Sequence, residues 1–218
     1  MLIEYANYDI SNNDNELKAE FDIINKLNVN TVSVLPCHTK LAKSNLKSSI
    51  KIATVIDYPL GYSSISSRSS NIVSSIKEGS SIIELVIPSH FLCNRKYDKI
   101  KSDIETQYKI CNEAGIEIRY ILEYRIFQVD SLYKISQLPK ANSIDTILPS
   151  TGFFLDDIND NLIVGALISK KIPDMKIIYN GKIWNEKHYS LILNSNLYGF
   201  RSYSKSSLSK VCEIFSVN

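Results

Sequence analysis

The residues that could do chemistry are charged side chains inside strand-like, apolar segments. Glu84 interrupts the run SIIELVI, and Arg119 and Glu123 lie in EIRYILE, where alternation places both on one face of a strand. Glu4 has a similar position in LIEYA. Buried charges must be paired, because an unpaired one costs several kcal/mol. Two interpretations stay open: a polar pocket in which a carboxylate works as acid or base and Arg119 is its partner or an anion anchor, or an internal layer of salt bridges.

A second group of candidates follows strand-like runs and would lie in loops at one end of a parallel sheet. Lys182 comes just after MKIIYN and is a candidate for an imine-forming lysine; the alternative is a solvent-facing loop lysine. We predict Glu84, Arg119, Glu123 and Lys182 as catalytic residues. The predicted substrate contacts are Glu4, His38, Tyr58, Ser150, Thr151, Gly152, Asn180, Arg201 and Ser202.

Other reactive side chains give weaker signals. Cys37 and His38 are adjacent, and adjacent side chains rarely face each other, so packing is the favoured interpretation for the cysteine. Aromatic and basic residues in the same loops could wall a pocket or pack against the rim: Tyr58, His90, Trp184 and Tyr203. His38, His90 and Glu84 have no metal-ligand spacing, and we predict no metal and no cofactor.

Length and composition favour one globular domain. The chain has 218 residues, of which 44% are hydrophobic and 22% charged, enough for one sizeable core. A formal net charge of +2 gives no electrostatic case for nucleic acid or an anionic membrane. The four cysteines have no CxxC spacing, and the N-terminal segment lacks the basic start of a signal peptide, so we predict a cytoplasmic location. The expected partner is a small-molecule substrate, and a homodimer is compatible with the sequence.

Strand-like and helical segments alternate along the whole chain. Most strand candidates are continuous apolar runs, typical of parallel strands covered on both faces. Eight such units predict a single-domain (β/α)₈ TIM barrel over residues 1–218, with an open doubly wound sheet as the main rival. The predicted strands cover residues 2–6, 31–35, 51–56, 81–87, 117–123, 143–148, 175–179 and 197–203.

Several segments, in the right order, resemble the deoxyribose-phosphate aldolases. ATVIDYPLG, residues 53–61, is close to ATVIGFPLG of that family and is the most specific match. GSSIIELVI resembles GADEIDMVI, YILE resembles KVILE, and PSTGF is similar to KTSTGF. The resemblance implies a TIM barrel with a lyase site at the carboxyl ends of its strands.

The departures from this family fall on its chemistry. Leu148 stands where the family has the lysine that forms a Schiff base, and the second active-site lysine is matched by Ile178. Glu84 matches the aspartate of the family's proton relay. The resemblance therefore implies an aldolase-like enzyme that acts on a small carbonyl or sugar-phosphate-like compound by acid/base chemistry without the usual imine. The alternative is a non-catalytic homologue that binds a ligand or serves in an assembly.

Overall fold

The structure, a computed structural model, describes residues 1–154 and 157–216 and forms a closed barrel of eight parallel strands in chain order. β1 pairs with both β2 and β8, which closes the barrel. The predicted (β/α)₈ TIM barrel is confirmed, and the open doubly wound sheet is excluded. The strands are β1 (Leu2–Asn7), β2 (Thr31–Val34), β3 (Lys51–Ile56), β4 (Ile82–Val86), β5 (Glu117–Ile121), β6 (Thr146–Leu148), β7 (Lys176–Asn180) and β8 (Gly199–Ser202).

Helices connect the strands and surround the barrel. They are α1 (Asp14–Ile24), α2 (Thr39–Asn45), α3 (Ile65–Lys77), α4 (Ser89–Cys93), α5 (Tyr97–Glu113), α6 (Val129–Ala141), α7 (Ile158–Lys171), α8 (Glu186–Asn194) and α9 (Lys205–Ser216). Short 3₁₀ turns at Pro36–His38 and Tyr124–Ile126 follow β2 and β5. In the part of the chain that the structure describes, no helix has the length and hydrophobicity needed to span a membrane.

Some helix boundaries differ from the sequence-based expectation. α2 and α4 were not predicted, because each is too short to show a helical period. The sequence predicts a helix over about Asp130 to Leu138, and the corresponding α6 continues through Pro139 to Ala141. The sequence predicts the next helix over about Asp156 to Ser169, and Asp156 lies outside the described residues. As described, α7 begins at Ile158, where the Asp157 side chain accepts a hydrogen bond from the backbone of Asn159.

The apolar strands are covered on both faces. On β4, Ile83 and Leu85 belong to the core between the barrel and its helices, together with Ile72 of α3 and Ile104 of α5. Glu84 lies between Ile83 and Leu85 in the strand and points toward the barrel axis, because alternate residues of a strand face opposite sides. The sequence SIIELVI therefore encodes an outer apolar face and an inner face that carries one charge.

Candidate functional site

Two carboxylates and two guanidinium groups form a buried cluster inside the barrel, which we call the ion layer: Glu4 of β1, Glu84 of β4, Arg119 of β5 and Arg201 of β8. None of the four is more than 2% exposed. Nη1 of Arg119 lies 2.8 Å from Glu4 and 3.4 Å from Glu84. Arg201 lies 2.6 Å from Glu4 through Nη2 and 2.8 Å from Glu84 through Nη1. Each arginine therefore bridges both glutamates, as buried charges require.

The ion layer holds Glu84 in its charged form. Burial opposes ionisation of this carboxyl group, but Arg201, Arg119 and the Ser33 hydroxyl together outweigh burial and keep the pKa of Glu84 below its ordinary value. Burial also acts against the charge of Arg201, yet Glu84, Tyr8 and Glu4 hold the pKa of that guanidinium well above its ordinary value. At neutral pH Glu84 is therefore a carboxylate, which can accept a proton and has none to give.

Tyr8 connects the ion layer to the mouth of the barrel at the carboxyl ends of the strands. Its hydroxyl lies 2.8 Å from Oγ of Ser33, and that serine donates a 2.7 Å hydrogen bond to Glu84. Arg201 also donates to the Tyr8 hydroxyl, at 3.2 Å. A continuous chain of hydrogen bonds therefore runs from Glu84 through the Ser33 hydroxyl to the hydroxyl of Tyr8, whose side chain lines a cavity described below.

Sequence reasoning missed Tyr8, although a signal was present. The first strand was expected to end at Ala6, whereas β1 extends to Asn7. Alternation continued by one more step places Tyr8 on the same inward face as Glu4 and Ala6.

An apolar cluster fills the interior at the two positions where the resembled family has lysines. Leu148 and Ile178 are fully buried and pack with Val55, Val86 and Ile121. Tyr8, Leu35 and Tyr58 pack against this cluster. The interior between β3 and β7 therefore offers no amine to a carbonyl group at either position.

A hydrogen-bonded network fixes the loops that follow β6, β7 and β8. Oδ1 of Asn180 accepts from the Ser150 hydroxyl at 3.1 Å and from Nδ2 of Asn161 at 3.0 Å. Nδ2 of Asn180 donates to the Tyr203 hydroxyl at 2.6 Å, and that hydroxyl donates to the carbonyl oxygen of Thr151 at 3.0 Å. The predicted substrate contacts Ser150 and Asn180 are buried in this network and hold the mouth in shape.

Glu123 and Gly152 lie at the edge of the same network. The predicted strand reached Glu123, but β5 ends at Ile121 and Glu123 has a left-handed backbone with φ of 51°. The Glu123 carboxylate accepts a 2.9 Å hydrogen bond from the backbone N–H of Thr151 and a second from its hydroxyl. Gly152 has φ of 74°, and the ring of Tyr203 lies where a Cβ atom would be. The close approach at this glycine is therefore made by Tyr203.

A cavity of about 690 Å³ opens at the mouth of the barrel. Of the predicted site residues, Tyr58, Gly152 and Lys182 line it. A smaller pocket of about 320 Å³ lies beside it and shares Lys182, Tyr203 and Ser204 with the cavity. The lining residues that the sequence did not single out are Tyr5, Ala6, Asn7, Tyr8, Asp9, Asn12, Glu20, Ser204 and Lys205.

The remaining candidates are distributed around the barrel. Ser202, the last residue of β8, lines the smaller pocket, and Arg201 lies deeper, in the ion layer. His38 is half-buried in the turn after β2, away from the cavity lining, and His90 contacts the ring of Phe91. Within residues 1–154 and 157–216 there is no group of three or more His, Cys, Asp or Glu side chains that could hold a metal ion.

Comparison with known proteins supports the aldolase motifs. The chain is 34% identical over 125 residues to a deoxyribose-phosphate aldolase of Thermoanaerobacter sp. strain X514, and the match covers 56% of this chain and 56% of that protein. The resemblance to the deoxyribose-phosphate aldolases is confirmed. The chain spans about half the length of the curated relatives it matches. No family model matches the chain.

Two solved structures share the fold of this chain over 98% of its length. "QR15, an Aldolase" has a TM-score of 0.86 and 20% identity, over 98% of this chain and 94% of that one. A tetrameric deoxyribose phosphate aldolase of Aeropyrum pernix has a TM-score of 0.79 and 16% identity, over 98% and 89% of the two chains. At these identities the likeness shows a common barrel and leaves the activity to be argued from the site.

Proposed function

We propose that this protein is an aldolase-like enzyme that acts on a small carbonyl or sugar-phosphate-like compound at the mouth of the barrel. The observation that carries the proposal is the hydrogen-bonded chain from Glu84 to Tyr8, which joins a buried carboxylate to the cavity of about 690 Å³. Catalytic groups of TIM-barrel enzymes lie at this end of the strands. The sequence match to deoxyribose-phosphate aldolases supports lyase chemistry.

The proposed chemistry is removal of a proton from the carbon next to the carbonyl group. Glu84 serves as the base, because its carboxylate is charged at neutral pH. The substrate proton moves to the Tyr8 oxygen while the Tyr8 proton moves to Ser33 and the Ser33 proton moves to Glu84. Each hydroxyl gains one proton and loses one, so neither has to become an anion, and the substrate is left as an enolate.

Other predicted residues have supporting roles in this proposal. Arg119 and Arg201 hold Glu84 ionised and fixed in place. Lys182 lies at the mouth, where its charge can hold an anionic end of the substrate. Glu123 fixes the backbone of Thr151 and so the shape of the loop after β6. An imine at Leu148 or Ile178 has no part in the mechanism, because neither side chain carries a nitrogen.

A second candidate is a non-catalytic barrel that binds a small molecule at the same mouth. It is favoured by the complete burial of Glu84, whose carboxylate already accepts hydrogen bonds from Arg119, Arg201 and Ser33. In that case the ion layer is structural and the cavity serves only for binding.

Exchange of substrate protons in D₂O separates the two candidates. Small aldehydes, ketones and sugar phosphates are incubated with the protein, and loss of the proton next to the carbonyl group is followed by NMR. The enzyme proposal expects exchange with at least one compound and a fall of about a hundredfold in Glu84→Gln, since general base catalysis contributes 10²-fold or more. Glu117→Gln is the matched control, because Glu117 also pairs with Arg119 but lies at the opposite end of β5. Binding without exchange would replace the enzyme proposal by the second candidate.

A further inference from the structure

Aromatic rings form one side of the cavity and define what it can hold. The ring of Tyr8 contacts those of Tyr58 and Tyr203, with centroids 4.5 Å and 5.8 Å away. Phe153 stands edge-on to Tyr58 at 6.1 Å and is 57% exposed. Trp184, which is 55% exposed, lines the adjoining pocket. Rings of this kind favour a flat, apolar surface on the ligand.

The hydroxyl groups of Tyr8 and Tyr203 already have hydrogen-bond partners within the protein. The Tyr8 hydroxyl is bonded to Ser33 and Arg201 in the barrel interior. The Tyr203 hydroxyl accepts from Asn180 and donates to the Thr151 carbonyl, so both of its functions are used within the protein. Neither tyrosine therefore has a free O–H to donate to a polyhydroxylated chain, which would lose hydration here, and burying polar groups without new hydrogen bonds is costly.

The charged side chains around the cavity differ in whether they are already paired within the protein. On the β1 side, Glu20 accepts from Tyr5 and Asn7 and pairs with Lys205 at 2.9 Å. Lys182 is exposed, its ammonium lies 5.3 Å from the centre of the Trp184 ring, and it has no salt bridge among the described residues. The positive charge open to a ligand is thus next to the aromatic wall.

We propose that the compound bound at the mouth carries an aromatic or similarly flat unsaturated group together with an anionic group, with Phe153 and the tyrosine rings contacting the flat group and Lys182 binding the anion. This inference deepens the proposed function, on which it rests for the role of the bound compound as a substrate. The anion lies beside Lys182, where Ser202, Ser206 and Ser207 line the smaller pocket. Tyr58, Phe153 and Lys182 then determine specificity.

Three probes without an aldehyde or ketone group test binding separately from turnover. 4-(Hydroxymethyl)benzoate has a ring and a negative charge, benzyl alcohol has the ring alone, and glycerol 3-phosphate has the charge without a ring. Trp184 is the only tryptophan of the chain, so its fluorescence reports events at the mouth. We expect 4-(hydroxymethyl)benzoate to bind about tenfold more tightly than either other probe, a difference of about 1.4 kcal/mol.

Two variants test separately which residue binds the ring and which binds the anion. Phe153→Ala should weaken both ring-bearing probes about threefold to tenfold and leave glycerol 3-phosphate unchanged. Lys182→Met should weaken the two anions and leave benzyl alcohol unchanged. Lys176→Met is the matched control, since Lys176 lies over the ring of Tyr198 at the opposite end of β7. It should change none of the three affinities.

The outcomes separate this inference from the proposed function. Glycerol 3-phosphate binding as tightly as 4-(hydroxymethyl)benzoate, or no effect of Phe153→Ala, would overturn the aromatic specificity even if proton exchange with carbonyl compounds is found. The opposite result is also informative: the three probes follow the expected order of affinity, while neither 4-acetylbenzoate nor any other tested carbonyl compound exchanges protons. That result would support the proposed class of ligand and exclude the enzymatic role.

Discussion

The Tyr8 hydroxyl accepts a hydrogen bond from Nη1 of Arg201 at 3.2 Å, which ties a residue of the cavity wall to the ion layer beneath it. The same guanidinium contacts Glu84, so a change at the mouth can reach the buried carboxylate through one side chain. This connection makes Tyr8 the most informative residue for separating a catalytic ion layer from a structural one.

Tyr8→Phe should keep the ring and remove the proton path. Loss of the hydroxyl leaves Ser33 and Arg201 short of one partner, and we expect a loss of about 1–3 kcal/mol of stability, measured by urea unfolding. Proton exchange with carbonyl substrates should fall at least about tenfold if the path through Ser33 is used. Tyr62→Phe is the control, because Tyr62 is exposed on the loop after β3. Exchange unchanged in a folded Tyr8→Phe variant would exclude this path.

Glu84→Gln should destabilise the barrel as well as remove activity. Gln keeps the shape but leaves two buried arginines with less counter-charge, and breaking a buried ion pair costs about 3–5 kcal/mol. A thermal melt measures the loss of stability, and the exchange assay measures the loss of activity. A variant as stable and as active as the wild type would remove Glu84 from both the mechanism and the ion layer.

The stability contributed by the Glu84 carboxylate should depend on pH. Because its pKa is lower in the folded than in the unfolded protein, the contribution is present above the unfolded value and is lost as the pH falls through the folded one. We therefore expect the wild type to lose stability on acidification more steeply than Glu84→Gln, as measured by urea unfolding between pH 7 and pH 3. Parallel acid limbs for the two proteins would contradict the lowered pKa.

The fold was readable from the sequence because the barrel strands are continuous apolar runs. SIIELVI shows both properties of a barrel strand, with Ile83 and Leu85 on the helix side and Glu84 on the inner side. The charged residues on the inner faces were noticed for the same reason, since a charge within such a run needs a partner.

The site was only partly readable, because it depends on residues far apart in the chain. Arg201 was expected at the mouth, in contact with a substrate, but it lies one layer of side chains deeper, in contact with Glu4. The sequence could not show this difference in depth, because strand ends are placed only to within about 2–4 residues from sequence. Tyr8 lies 193 residues from Arg201, and no local pattern could show that its hydroxyl reaches that guanidinium. The alternation of residues along a strand shows which face a side chain is on, but it does not show how deep in the barrel that side chain lies.

Gly152→Ala should destabilise the mouth for two separable reasons. Its φ of 74° is unfavourable for alanine by about 1–2 kcal/mol, and a Cβ atom would lie 2.4 Å from the Tyr203 ring. Overpacking adds about 1–3 kcal/mol. Gly115→Ala is the matched control, with φ of 68° and no atom within 4 Å of the added Cβ. Equal losses in the two variants, measured by chemical denaturation, would show that Tyr203 does not pack on Gly152.

The wild-type protein should not cleave deoxyribose 5-phosphate through an imine. Leu148 and Ile178 are buried in the apolar cluster, so borohydride treatment with this sugar or with acetaldehyde should give no adduct at either position. A lysine placed there by Leu148→Lys would be desolvated and its pKa lowered, which is the condition for an imine-forming amine. Because the Tyr8 side chain packs against this cluster, we expect trapping only in Leu148→Lys combined with Tyr8→Ala, as shown by peptide mass spectrometry. An adduct on Lys182 in the wild type would instead place imine chemistry at the mouth and remove the need for Glu84 as the base.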